Sequence, residues 1–451
     1  MYYETTCPIN LGMRNKSSVP KAAFKALFNE LIPWSLVYAL FLRCGVRRRR
    51  PPVITQVELI QGLVFHAVAE AGTLAQHVKQ LTGKRITDGA LAQRRALLPP
   101  ELFDQLMKAA LKPKANPHKH PEAFYQGLRL CGVDGSLFSV TNTPQVKKRM
   151  KKARSRRGRA AFPKVGVAVM VELGLHNPIA AALGAQGESE MVLAKQVLAA
   201  QPENSLMLND RYYGVAELLV DLPSEQQRHF LARVKNNLKR RLLEVYPDGS
   251  ALVEIKSNKA TRLVREVVGR VQRQGRGSAT TVRLWSSLLD WRQYPAAELL
   301  ALYARRWEQE LFYKELKVDM RSTPCLQSHT PLTALQEIAA LILAYAVLVG
   351  YRVEAAATAE VGVLRISFIK TLQIVQGLWR FLEVSADLLT SAQLRLVVRR
   401  SLKQVAEMAI PKRRQRSCPR ALRQPVSSWP RLRRNASQQG AVHYSVGEIY
   451  A

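Results

Sequence analysis

The sequence predicts an α/β protein: a mixed sheet flanked by helices, preceded by a helical N-terminal domain and followed by a basic C-terminal region. Three observations carry this expectation. Apolar residues recur at helical spacing from about residue 20 to 115, and again over 296–318 and 332–351. Between these lie short apolar runs, first in succession and then alternating with a helical segment, which is the pattern of a sheet covered by helices. The chain has 451 residues, 47% of them hydrophobic, which is enough for two or three domains with buried cores and excludes wholesale disorder.

Taken in order, residues 1–20 read as a flexible terminus, and 33–42 carry aromatic and aliphatic side chains at helical spacing. Thr55 and Glu58 form a capping box ahead of Leu59, Ile60, Leu63 and Val64. Thr87 or Asp88 caps a helix through Ala90, Leu91 and Arg94 that Pro99 and Pro100 stop. Exposed Arg94 and Arg95 would suit DNA binding there, although a helical packing module explains the segment equally well. A linker rich in Pro, Lys and His spans 112–121. Strands are expected at 127–133, 137–140, 165–173 and 178–183. A helix over 189–200 follows, with Met191, Val192, Ala194, Val197 and Leu198 at helical spacing, then strands at 206–209 and 229–234. A basic, β-like stretch runs from about 240 to 284, with strands at 253–255, 264–271 and 281–285, before the helices at 296–318 and 332–351. Residues 412–434 hold nine Lys or Arg in 23 positions and several prolines, as a tail or extended arm would.

Charge narrows the function. Lys and Arg number 68 against 34 Asp and Glu, a net +34, and such self-repulsion opposes compaction unless a polyanion is the partner. Nucleic-acid phosphate is the commonest one. A membrane surface is disfavoured, because no basic amphipathic helix, lipidation signal or signal sequence is visible. The most apolar run, 338–351, has 14 residues between Glu337 and Arg352 and reads as a buried helix, too short to span a bilayer. The five cysteines are scattered with no CxxC pair, which points to a reducing compartment. His118 and His120 have no cysteine partners for zinc, and no GxxxxGK[ST] loop suggests ATP use.

The strongest chemical signal is LYARRWEQELFYKELKVD at 302–319, where Tyr303, Arg306, Glu310 and Lys317 follow Y-x2-R-x3-E-x6-K. On a uniform helix these four fall within roughly 60° of one another along about 20 Å. Leu300, Ala304, Trp307, Leu311 and Val318 form an apolar stripe beside them that could dock the helix on a sheet. Upstream, Asp134 in CGVDGS and Asp210 in LMLNDRYYG each follow an apolar strand. If those strands are parallel neighbours, their ends lie about 5 Å apart, and the paired carboxylates repel unless divalent cations sit between them. Glu310 would complete an oxygen-rich site for two Mg²⁺ ions suited to phosphoryl displacement. Taken singly, either Asp is more often a turn former, and a helix face of this kind is more often a salt-bridged solvent face.

These motifs resemble the insertion-sequence-four family of DDE transposases, whose catalytic core is ribonuclease-H-like. The matching pieces are VDGS at Asp134, LNDRYYG at Asp210, FLARVKNN over 230–237 and LYARRWEQELFYKELK over 302–317. ITDGALAQRRALLP at 86–99 looks like the N-terminal domain of one branch, and RQRSCPRALRQ at 414–424 is similar to the family's basic C-terminal region. The resemblance implies a helical DNA-binding-type domain at 21–115, a catalytic core at 122–235 and 288–380, a β-rich insertion at 236–287 and a basic region at 381–451. It also implies a metal-binding catalytic triad of Asp134, Asp210 and Glu310 with Mg²⁺ (or Mn²⁺), two ions per site. Tyr303, Arg306 and Lys317 would grip DNA phosphates, with Arg211 a further contact. Trp285 is a candidate to stack on a flipped base, with core packing the stronger alternative. Nine Lys or Arg among residues 147–159, including Lys147, Lys148 and Arg149, suggest a DNA-binding loop whose grip is steeply salt-dependent.

The expected activity is binding of terminal inverted repeats followed by metal-dependent cleavage and strand transfer. The partners are double-stranded transposon ends and target DNA, met by a homodimer in a DNA-bound synaptic complex, without membrane or ATP, in a prokaryotic cytoplasm at the nucleoid. Two alternatives remain open at this point: a catalytically inactive or repurposed transposase that only binds DNA, and an RNA-binding protein. No RNA-recognition module is visible to support the second.

Overall fold

The computed structural model describes residues 33–43, 53–69, 72–150, 152, 154–155, 158–159, 161–184, 187–258, 260–273, 280–321, 323–385, 388–411 and 442–446. Along the chain, α1 (Trp34–Arg43), α2 (Gln56–Val68), α3 (Leu74–Thr82), α4 (Asp88–Ala96) and α5 (Leu102–Ala110) come first. They are followed by β1 (Phe124–Tyr125), β2 (Leu128–Val140), α6 (Pro144–Arg149), β3 (Arg154–Ser155), β4 (Gly158–Arg159), β5 (Lys164–Glu172) and β6 (Asn177–Leu183). Next are α7 (Glu190–Leu198), β7 (Ser205–Asn209), α8 (Ala216–Leu219), β8 (Arg228–Val234), β9 (Arg241–Val245), β10 (Ala251–Lys256), β11 (Thr261–Arg273) and β12 (Thr280–Ser286). The last are α9 (Ala296–Tyr303), α10 (Trp307–Lys314), β13 (Cys325–Leu326), α11 (Pro331–Thr358), α12 (Phe368–Ser385), α13 (Ser391–Glu407) and β14 (Val442–Val446).

The chain divides into two compact units. One, Met1–Lys112 with Ser139–Met150 and Lys314–Ala409, is helical. The expected capping box at its α2 is present, with Thr55 Oγ1 accepting from Glu58 N and Glu58 from Thr55 N. Thr87 rather than Asp88 is the N-cap of α4. The centre of this unit is α11, whose 28 residues extend well past the expected apolar run. By length and composition α11 could cross a membrane, but 83% of its most apolar window is buried inside the protein, so it is a core helix. Arg94 and Arg95 do not face solvent as the sequence suggested. Arg94 donates to Ile54 O at 2.7 Å, and Arg95 to Thr333 O at 2.8 Å and Gln336 Oε1 at 3.2 Å. These guanidiniums satisfy helix ends and loops of their own unit.

The second unit, Pro113–Phe138 with Lys151–Tyr313 and Ile410–Ala451, holds the sheet. Its order is β6-β5-β2-β7-β8-β12-β11-β10-β9. Strands β2, β7 and β8 run parallel, β5 and β6 are an antiparallel pair, and β8 through β9 continue antiparallel. The order β6-β5-β2-β7-β8, with β2 central and β7 and β8 added parallel beside it, is the ribonuclease-H-like arrangement. Side chains alternate across it as a pleated strand requires. Met207 joins a core with Cys131, Val133, Leu193 and Val197 of α7, while Leu206 and Leu208 pack with Leu130, Leu299 and Leu300 of α9. Glu172 is wholly buried at the edge of that core and is paid for by four donors: Lys114 N (2.7 Å), Ala115 N (3.0 Å), Asn177 Nδ2 (2.7 Å) and the Arg129 guanidinium.

Several expectations change. Residues 127–133 and 137–140 are not two strands: β2 (Leu128–Val140) runs unbroken through Asp134 and Gly135. Strand β9, α12 and α13 were not anticipated; β9 is exposed along its whole length and so lacks the apolar alternation that signals a strand. The helix expected over 296–318 is broken into α9, a 3-10 turn at Ala304–Arg306, α10 and a π-helical turn at Glu315–Asp319. The apolar stripe predicted on it docks only at its start, where Leu300 packs on the sheet. Trp307 is 51% and Val318 63% exposed, while Leu299, Gln309, Phe312 and Tyr313 form the buried side. Residues 1–20, 412–434 and half of 151–160 lie outside the described residues.

Candidate active site

Two central strands bring the aspartates together. The parallel register pairs Gly132 of β2 with Leu208 of β7, so two residues further on Asp134 lies beside Asp210, with strands about 5 Å apart. Asp134 is therefore within its strand rather than after it, while Asp210 directly follows β7. Asp134 Oδ1 accepts from Gly135 N at 2.8 Å, and its carbonyl accepts from Tyr313 Oη at 2.7 Å, which ties α10 to β2. Asp210 Oδ1 accepts from Tyr212 N at 2.6 Å and shapes the turn into Tyr213 and Gly214. The turn needs glycine at 214, where a Cβ would stand 1.9 Å from Arg233 O.

Glu310 projects from α10 and receives the Arg306 guanidinium at 2.7 Å. Burial works against the charge of Arg306, but Glu310, Tyr303 and Asp210 outweigh it and its pKa rises. Burial pushes Asp134 up to about 7, with the charges of Asp210 and Glu190 adding to the rise and Gly135 N and Arg306 opposing it. Burial likewise lifts the Tyr303 phenol to about 12. Arg306 thus supplies positive charge to Asp134, Asp210 and Glu310 together.

Among the described residues no three His, Cys, Asp or Glu side chains converge closely enough to share one ion. The donor chemistry nonetheless suits a hard divalent cation: Asp134 and Asp210 offer carboxylate oxygens with too little nearby positive charge to neutralise them. Glu310 is turned to Arg306 instead.

Lys317 lies in the helical unit, in the π-helical turn, so Tyr303, Arg306, Glu310 and Lys317 do not share one regular helix. The uniform angle assumed from sequence fails because the 3-10 segment winds more tightly than an α-helix and the π turn more loosely. Lys147, Lys148 and Arg149 are the exposed last turn of α6, also in the helical unit. Trp285 is fully buried and donates to Glu266 Oε2 at 2.8 Å, so it packs the core and cannot stack on a base. Arg211 lines a recess of about 390 Å³ with Arg233, Lys235, Asn236, Asn237 and Thr281. Sequence reasoning assigned no role to Arg233, Lys235 or Glu190, although FLARVKNN carried the signal for the first two.

The sheet order is ribonuclease-H-like, and Asp134 and Asp210 stand at its centre. A family model described as a transposase DDE domain matches residues 126–347. The chain is 29% identical over 315 residues to the transposase InsG for insertion sequence element IS4 of Escherichia coli strain K12, covering 66% of this chain and 70% of that one. It is 28% identical over 235 residues to the putative transposase InsZ of the same organism, covering 49% and 75%. Among solved structures it is similar to the piggyBac transposase synaptic complex with hairpin DNA, at a TM-score of 0.44 and 12% identity over 86% of this chain and 85% of that one. The domain match and both relatives support a DDE transposase of the insertion-sequence-four type. It is a DNA-cleaving, metal-dependent phosphoryl transferase, and DDE transposases work with divalent metal ions.

Proposed function

We propose that this transposase binds the terminal inverted repeats of its own insertion sequence and carries out cleavage and strand transfer, with Asp134, Asp210 and Glu310 as its catalytic triad. The observation that carries the reading is the placement of Asp134 beside Asp210 on adjacent parallel strands, with Arg306 linking their charge to Glu310. Asp134, Asp210 and Glu310 would hold the divalent cations, Mg²⁺ or Mn²⁺, two per site; when bound, such ions activate an attacking oxygen and stabilise the leaving oxygen. Arg306 keeps the carboxylates compatible with one another, and its guanidinium would contact a DNA phosphate together with Tyr303. Arg211 grips the backbone at the mouth of the basic recess, and Lys317, Lys147, Lys148 and Arg149 contribute further phosphate contacts. The partners are duplex transposon ends and target DNA, bound by a homodimer at the nucleoid.

The test is a cleavage assay on duplexes bearing the inverted repeats that flank the reading frame, with Mg²⁺ and no ATP. Nicking at the repeat ends is expected, and Asp134→Ala, Asp210→Ala and Glu310→Ala should each abolish it while retaining DNA binding. Full activity in all three variants overturns the assignment. DNA binding with no cleavage by the unaltered chain would favour a binding-only protein.

A further inference from the structure

Helix α13 of the helical unit has two unlike faces. On the inner one, Leu394 packs with Leu378 and Leu382, Val405 is fully buried, and the Ser401 hydroxyl meets the Tyr351 hydroxyl of α11. The opposite face carries Arg395, Arg399 and Lys403, all exposed, at positions i, i+4 and i+8. With a rise of 1.5 Å per residue they make a row of cations about 6 Å apart. Arg400 is exposed beside the row.

A solvated helix face ordinarily interleaves cations with carboxylates, because opposite charges four residues apart stabilise a helix and like charges destabilise it. Here both such pairs, Arg395 with Arg399 and Arg399 with Lys403, are like-charged. Glu407, the final residue, is the one acid in the helix. None of the four cations stands in the last turn, where the helix dipole would favour it. Among the described residues, Arg395, Arg399, Arg400 and Lys403 make no ion pair and no side-chain hydrogen bond. The helix therefore gathers positive charge that nothing around it in the unit compensates.

We propose that this row docks on the phosphate backbone of duplex DNA and holds the duplex without reading its sequence. Cations one helical turn apart suit a string of phosphates, and phosphate contacts position a duplex but carry no sequence information. Each phosphate gripped releases condensed counterions, so the face supplies a salt-sensitive share of the affinity. The inference rests on the reading of the chain as a DNA-binding transposase, and adds to it a surface that none of the residues assigned above belongs to. Leu396, 49% exposed, lies in the same face, which makes a second copy of this chain the competing occupant.

The test is an anisotropy titration of the full chain in EDTA, at several salt concentrations, against two labelled duplexes: one with the inverted repeats that flank the reading frame and one of unrelated sequence. A triple variant, Arg395→Gln with Arg399→Gln and Lys403→Gln, is expected to bind both duplexes at least about tenfold more weakly, and to flatten the slope of log affinity against log salt by roughly 2–3, at about 0.9 for each phosphate. Its melting temperature should not fall, because two like-charge pairs are relieved and no polar contact is lost. A control that removes equal charge from exposed positions elsewhere, Lys79→Gln with Lys119→Gln and Arg292→Gln, should stay within about threefold of the unaltered chain, since distant exposed charges are screened. Should the triple variant fail to fold, Arg399→Gln alone must flatten the slope by about 1, or the inference falls. An equal loss in the control, an unchanged salt slope in the triple variant, or a loss confined to the repeat-bearing duplex overturns it. So does a shift in the sedimentation of the DNA-free triple variant with DNA affinity intact, which would give the face to a second copy. If the unaltered chain binds neither duplex, the underlying reading as a DNA-binding transposase fails, and this inference with it.

Discussion

Asparagine at position 134 should make the metal-free protein more stable above neutral pH. The Asp134 carboxyl is raised by burial, and then by Asp210 and Glu190, from 3.8 to about 7. The folded state therefore holds a proton on Asp134 across a window in which the unfolded chain has released it. Stability from this group is fully present below pH 4 and is lost as pH rises to about 7. At about 1.36 kcal/mol per pH unit the loss is at most about 4 kcal/mol, and partial solvent access reduces it to roughly 1–3 kcal/mol. Asn keeps the acceptor for Gly135 N and carries no charge, so Asp134→Asn should match the unaltered chain near pH 4 and exceed it by that amount at pH 8. Urea unfolding in EDTA at several pH values reads the difference directly. Parallel stability curves, or a variant that is less stable at pH 8, would refute the claim that the site holds uncompensated negative charge.

Other consequences are structural. Glu172→Gln leaves the Arg129 guanidinium and its neighbours without their shared buried anion and should cost about 3–5 kcal/mol, measured by chemical denaturation, with a fully folded product at native stability counting against it. Trp285→Phe removes the indole bond to Glu266 and should cost roughly 1–2 kcal/mol; DNA cleavage per folded molecule should stay unchanged, and a selective loss of cleavage would revive a role on DNA. Gly377 in α12 has open space where a Cβ would lie, so Gly377→Ala should stabilise by about 0.5–1 kcal/mol. Gly214→Ala, by contrast, drives a methyl to 1.9 Å from Arg233 O and should yield misfolded or strongly destabilised protein; chemical denaturation reads both glycine variants.

Much of the site could be read from residues close together in the chain. Thr55 and Glu58 marked a helix start because the capping box is a four-residue event. The apolar runs that end in Asp134 and Asp210 announced strands carrying acids, and their parallel pairing followed. Composition fixed the preference for a polyanion. Other features depended on packing that no short window contains. The 3-10 and π segments around Glu310 arise where Phe312, Tyr313 and Gln309 turn inward, so a uniform helical wheel misplaced Trp307, Val318 and Lys317. Trp285 was an aromatic of open role until its neighbour on β11, Glu266, fixed its indole. Glu190 carried no motif: it stands 56 residues after Asp134 and 20 before Asp210, and only the sheet order brings it to Gly135 and Tyr213. Helix caps and strand periods are settled by neighbours in sequence, whereas the meeting of charges from distant segments is settled by strand pairing and by the burial that pairing creates.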